Sequence, residues 1–158
     1  MNRSLPTLAI LLGAAGVIPF ILLGVGSVGL NPVRSLMAVR GLVGYGGVIL
    51  SFVGGVHWGF TLGEQEPRRA VQARLGLGVV PGLIGWAAIL ASVVIEPSAS
   101  LAILIAGFIG VVVTESRAQR LDLMPAGYMA LRWVITVVVV ALLTTVLVLR
   151  LAGARILL

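Results

Sequence analysis

The chain contains no cysteine. That excludes disulfides, thiolate metal sites, cysteine nucleophiles and Cys-ligated iron–sulfur clusters. Lysine is missing too, so all 11 basic residues are arginines. Histidine occurs once, as His57, and one chain therefore cannot supply a bis-histidine haem or a multi-histidine metal site. There is no P-loop and no dinucleotide fingerprint. Charge of either sign is scarce, at 10% of residues, where a soluble domain carries about a quarter. Hydrophobic residues make up 59%. So few charges cannot keep that much apolar side chain in water, and the apolar segments must face lipid.

What is present is a series of long apolar runs separated by short polar stretches. They predict an all-α polytopic bundle of about five transmembrane helices, approximately 5–30, 41–62, 75–95, 99–114 and 126–149, in a single transmembrane domain 1–158. The first run is too long for a signal-peptide core of about 7–15 residues and is read as a retained helix. Asn31 to Arg40 is expected to be a short loop, and Gly63 to Arg74 the most hydrophilic segment. Period-2 alternation is lacking, which argues against a barrel. Helices satisfy their own backbone in lipid.

The net charge of +6 does not point to nucleic acid, because the arginines lie between apolar runs rather than in one patch. They set topology and meet lipid headgroups. Arg3, Arg68, Arg69, Arg74, Arg117, Arg120 and Arg132 fall on one side of a five-span chain, and Arg34, Arg40, Arg150 and Arg155 on the other. The richer side is expected to be cytoplasmic, with the N-terminus there too.

The 21 glycines carry packing information. Gly47, Ser51, Gly55, Gly59 and Gly63 recur every four residues, which makes a shallow, slowly drifting groove for a second helix. His57 points nearly opposite it, on a face with Gly46, Leu50, Val53 and Gly54. The second run is thus expected to be central. Gly13, Gly16 and Gly24 of the first run, and Gly78, Gly82 and Gly85 of the third, could supply matching grooves. Pro19 and Pro81, each closing a Gly-Val-x-Pro string, should kink their helices or release carbonyls. Val134 to Val148 lacks glycine and is expected to be peripheral and largely lipid-facing.

Few residues could carry chemistry. His57 is an ionisable group inside an apolar helix, a functional candidate by position. It could relay a proton, meet haem or bind a quinone. The bland reading is a neutral histidine bonded to a neighbouring helix. Trp58 could stack on a ligand or anchor at the interface, the second being the commoner use of tryptophan near a helix end. Arg132 could bind a lipid phosphate, pair with an acidic group or snorkel to the boundary. Glu115 ends the fourth run on the same side, so a Glu115–Arg132 pair is geometrically possible. Ser51 and His57 share a helix but not a face, which leaves no hydrolase pair. No Asp, Glu or Lys lies deep in a span, so a channel or transporter formed by oligomerisation ranks last.

The stretch Tyr45-Gly46-Gly47-Val48-Ile49-Leu50-Ser51-Phe52-Val53-Gly54-Gly55-Val56-His57-Trp58-Gly59 resembles the signature helix of an uncharacterised multi-pass membrane family, a domain of unknown function. That family occurs in proteobacteria and includes a eukaryotic mitochondrial transmembrane protein. Leu12-Gly13 through Pro19-Phe20 is similar to its first helix, Val80-Pro81 through Trp86 to its third, and Pro125, Tyr128, Leu131, Arg132 and Thr136 to its last. Tyr128 lies farther from the proline than the family's aromatic often does. The resemblance implies an inner-membrane protein of about five spans and directs attention to Ser51, His57, Trp58 and Arg132, but it implies no activity.

Taken together, the chain reads as a non-enzymatic accessory or assembly subunit of a larger membrane complex, conceivably respiratory, with membrane lipid and a membrane-protein partner or a second copy as its partners. No cofactor and no catalytic residue is expected. The alternative is a small-molecule (quinone, haem or lipid) or proton-handling protein centred on His57, with Trp58, Ser51, Arg132 and Glu115 as further binding candidates.

Overall fold

The computed structural model describes residues 7–29, 31–62, 68–119 and 126–153. Among the described residues six helices follow one another: α1 (Thr7–Ala15), α2 (Ile18–Gly29), α3 (Pro32–Leu62), α4 (Arg68–Val94), α5 (Pro97–Gln119) and α6 (Ala126–Leu151). Among the described residues there is no strand. Five segments are long and apolar enough to cross a membrane: Thr7–Val28, Pro32–Gly59, Leu75–Val94, Pro97–Arg117 and Tyr128–Leu151. The protein is a multi-pass helical membrane protein. Gly63, Glu64, Glu66, Arg120, Asp122, Met124 and Pro125 lie outside the described residues.

Helical structure extends beyond the expected runs, with α4 starting at Arg68 and α5 continuing to Gln119, and two further boundaries change the architecture. The apolar run near the N-terminus is not one helix, because it turns at Gly16–Val17 between α1 and α2. Pro19 has no N–H to give the preceding turn. The carbonyl of Gly16 accepts instead a hydrogen bond from the Tyr45 hydroxyl of α3, at 2.9 Å. The related Gly-Val-x-Pro string of α4 leaves that helix continuous, with Pro81 inside it. Conversely, residues 32–40 are not a loop but the opening turns of α3. Asn31 caps them, its side-chain oxygen accepting the Arg34 N–H at 3.0 Å, and Pro32 follows where a missing N–H costs nothing. Arg34 and Arg40 are exposed, so their charge does not interrupt the helix.

α3 is the central helix and packs on α2, α4 and α5. Against α4 it presents glycine. A methyl group built on Gly47 would stand 3.0 Å from the Gly85 carbonyl oxygen, and one on Gly85 would stand 2.6 Å from that of Gly47. Gly54 faces the Gly78 carbonyl and Ser51 faces Gly82, so the backbones themselves are in contact. The groove that α4 fills therefore runs through Gly47, Ser51 and Gly54. Gly55 and Gly59 lie to one side of it with open space before them. The glycines of the first run meet α6 instead: Gly13 abuts Ile135 and Gly24 abuts Val146.

The rest of the core is side-chain packing. Phe20 stacks edge-on against Tyr45 and Phe108, with ring centroids 5.0 and 6.1 Å apart. Leu50 and Val53 of α3, Leu101 and Leu104 of α5, and Val139 and Leu143 of α6 complete it. α6 is largely lipid-facing, as its composition predicts, yet it also carries part of the core. It turns Val134, Val137 and Val148 outward but buries one seam along its whole length.

Candidate functional site

Three helices carry the same pattern of buried positions. On α3 it is Val39, Val43, Gly46, Leu50, Val53 and His57. On α5 it is Leu101, Leu104, Phe108, Val111 and Glu115. On α6 it is Met129, Arg132, Thr136, Val139, Leu143 and Val146. Spacings of three and four keep each set on one face. In each seam one position holds an ionisable residue instead of an apolar one. α3 and α5 reach these residues near their C-terminal ends and α6 near its N-terminal end, so all three meet at one end of the bundle.

There Glu115 is completely buried, His57 is 1% exposed and Arg132 is 7% exposed. His57 Nε2 lies 3.1 Å from Glu115 Oε1, and Arg132 Nε donates to Glu115 Oε2 at 2.8 Å. A carboxylate held in an ion pair with arginine can only accept hydrogen bonds. The imidazole therefore donates to it through Nε2–H, and its ring orientation is set by Glu115. The arginine and carboxylate charges cancel inside the cluster. A second bond runs beside it, from Trp133 Nε1 to the Ser116 hydroxyl at 3.0 Å, and joins α6 to α5 one residue along on each helix.

The cluster is expensive to bury. Removing two ions from water costs several kcal/mol each, and apolar residues of similar size often pack as well or better. Nothing in the surrounding core requires it.

Beside the cluster lies a cavity of about 440 Å³ between α1, α2, α3 and α6. Its walls are apolar, among them Leu12, Phe20, Phe52 and Ile135. Its polar wall atoms come from Tyr128, Arg132 and Thr136. Along α6 the lining runs from Tyr128 to Val139, a depth of about 16 Å at 1.5 Å per residue. Leu12 and Phe52 of its lining are exposed, so the cavity reaches the lipid-facing surface of the bundle. Arg132 Nη2 and Thr136 Oγ1 are buried and have no hydrogen-bond partner among the described residues. Tyr128 lies within electrostatic reach of both Glu115 and Arg132.

Of the five binding candidates read from the sequence, His57, Glu115 and Arg132 come together. Ser51 and Trp58 do not. The Ser51 hydroxyl donates to the Gly47 carbonyl at 2.8 Å on the α4 side of α3. Trp58 is half exposed, with its ring over Gly78. His57 and Glu115 stand behind Arg132 and do not line the cavity, whereas Thr136, one turn beyond Arg132, does. The sequence placed Thr136 only in the family's final-helix pattern and did not make it a binding candidate. The available signal was its place in the α6 seam, four residues after Arg132. Among the described residues no group of three or more His, Cys, Asp or Glu could hold a metal ion.

Residues 5–148 match the family described as Protein of unknown function (DUF3429). Transmembrane protein 69 of Xenopus tropicalis is 33% identical over 147 residues, which cover 87% of this chain and 53% of that protein. Transmembrane protein 69 of Mus musculus is 37% identical over 90 residues, 55% of this chain and 35% of that protein. The chain thus spans about half the length of the frog relative and a third of the mouse one. No solved structure matches it.

Proposed function

The chain belongs to the DUF3429 family of membrane proteins, and we propose that it binds a small lipid-soluble molecule inside the membrane, held at its polar end by Arg132 and Thr136. One observation carries this reading: an apolar cavity that reaches the lipid-facing surface has Arg132 and Thr136 in its lining, and each of the two carries a buried polar atom with no hydrogen-bond partner among the described residues. A buried donor or acceptor left unpaired costs about 1–3 kcal/mol, and an apolar slot with a few convergent polar groups is the usual form of a small-molecule site. His57 and Glu115 act through Arg132. Glu115 anchors the guanidinium, and His57 steadies the carboxylate from the other side. The arginine distribution supports placing this end at the cytoplasmic face of a bacterial inner membrane, with the N-terminus on the same side.

Native mass spectrometry of protein extracted in mild detergent tests the reading. A bound species of a few hundred daltons at about one per chain is expected, and it should be lost from Arg132→Gln. Wild type that emerges empty under conditions that retain ordinary lipids would overturn it.

A second reading, an accessory subunit of a larger membrane complex, draws on the outer face of α3. There Gly55 and Gly59 stand open beside Phe52, which is 70% exposed. Because the chain has no cysteine, Gly55→Cys would place a unique thiol on that face. Cross-linking it in native membranes should trap one discrete partner or a second copy, and a protein that stays monomeric throughout would remove this reading.

A further inference from the structure

We infer that the molecule held in this cavity is electrically neutral and carries a carbonyl-type acceptor on a flat, apolar head, as a quinone does, and is not an anionic lipid. The inference rests on the ligand-binding reading above and concerns what the site selects. It stands on three observations.

The first is charge. An anionic headgroup is recognised by uncompensated positive charge, commonly several arginines or lysines together. The polar end of this cavity has one cation, Arg132, and its charge is already matched by Glu115 at 2.8 Å. A phosphate or carboxylate entering here would bring a second negative charge into a low-dielectric site next to Glu115, where like charges repel strongly. A neutral acceptor brings none.

The second is hydrogen-bond chemistry. The Arg132 guanidinium nitrogen can only donate, and the Thr136 hydroxyl can donate. Both are buried and unpartnered among the described residues. Thr136 is one turn from Arg132 on the same face of α6, and both residues line the cavity. A carbonyl oxygen with two lone pairs meets that demand without needing a donor in return.

The third is shape and access. Apart from Tyr128, Arg132 and Thr136 the lining side chains are apolar, and the exposed Leu12 and Phe52 belong to it, so the slot reaches the lipid-facing surface. Gly13 and Gly16 line it too, at the α1–α2 turn. A ring-headed molecule with an alkyl or prenyl tail can enter from the bilayer and leave its tail there.

The test uses full-length protein in nanodiscs of phosphatidylcholine, titrated with a decyl-substituted 1,4-benzoquinone and, separately, with oleate and with phosphatidic acid. The quinone should bind saturably at about one per chain. Thr136→Val, which keeps shape and removes the hydroxyl, should weaken it about tenfold. Ala9→Trp, a substitution at an exposed position on the slot wall, should abolish binding without touching the core. Ser51→Ala, on the far side of α3, should leave binding unchanged. Thermal unfolding of each variant checks that it is folded. Saturable binding of oleate or phosphatidic acid with none of the quinone would overturn this inference and leave the ligand-site reading standing. Quinone binding that is indifferent to both Thr136→Val and Ala9→Trp would overturn it as well, because the molecule would then be elsewhere. If no probe binds and the protein purifies empty, both the inference and the reading beneath it fail.

Discussion

The two long faces of α3 are built on opposite principles. Toward α4 the helix offers Gly47, Ser51 and Gly54, and the two backbones touch with no ionisable side chain at the contact. Toward α5 and α6 it offers Leu50, Val53 and finally His57, which meets a buried carboxylate and a buried arginine. In lipid the first kind of contact is sufficient to hold helices together, through close van der Waals packing of small residues. The glycine face therefore shows what assembly of this bundle requires. The ionic cluster goes beyond that requirement, at a cost in desolvation, and it sits where a cavity reaches the bundle interior. That contrast, between a face explained by packing and one that packing leaves unexplained, is the main reason for assigning function to the cluster.

The comparison can be broken most easily at the charged face. Glu115→Ala should be the most damaging single change, because it strands the buried Arg132 guanidinium. A loss of about 3–5 kcal/mol is expected for removing one member of a buried ion pair, read as a large fall in the thermal unfolding midpoint in detergent. If the cluster is not needed for folding, replacing all its members together with His57→Phe, Glu115→Leu and Arg132→Met should bring stability back to near wild type.

At the glycine face the expected effects are steric. Gly85→Ala drives a methyl group into the Gly47 backbone, which cannot rotate away as a side chain could. The cost should be about 1–3 kcal/mol. Gly55→Ala, whose methyl would meet nothing within 4 Å, should stay within about 0.5 kcal/mol of wild type. Equal losses at the two positions would contradict the assignment of the groove to Gly47, Ser51 and Gly54.

Smaller effects sharpen the picture. Trp133→Phe removes the bond to Ser116 beside the cluster and should cost about 0.6–1 kcal/mol, the usual worth of an interhelical hydrogen bond in a membrane. Ser51→Ala removes only a bond to its own helix and should fall below about 0.5 kcal/mol. Both are measurable by the same unfolding assay.

Much of the fold was legible in the sequence. Apolar runs of the right length can do little in lipid except form helices, so five spans follow from composition. The ends were harder to read. Arg34 and Arg40 resemble loop residues, yet a helix can project beyond the hydrocarbon with its arginines exposed, and Asn31-Pro32 was the start signal. The turn at Gly16 depends on Tyr45, 29 residues away, which no local pattern reveals. At the site, His57 was visible as an ionisable group inside a span, and Glu115 and Arg132 as ionisable groups at span boundaries on one predicted side. A Glu115–Arg132 pair could be read as geometrically possible, but the arrival of His57 on the same carboxylate was not visible, because it depends on which helices become neighbours. Each residue occupies the next place in a three–four seam of apolar positions, and that shared register was the readable clue. Trp58 and Ser51 belong to the same conspicuous motif, but they face α4. Thr136 was hidden because a threonine in an apolar helix usually bonds to its own backbone, and only the cavity beside it distinguishes it here.

The most direct test of the central claim is native mass spectrometry of the triple variant His57→Phe, Glu115→Leu, Arg132→Met beside the wild type, both extracted in the same mild detergent. The expected result is a folded triple variant that carries no small molecule, next to a wild type that carries one. A triple variant that retains the same bound species at the same stoichiometry would show that the cluster is not the ligand's anchor.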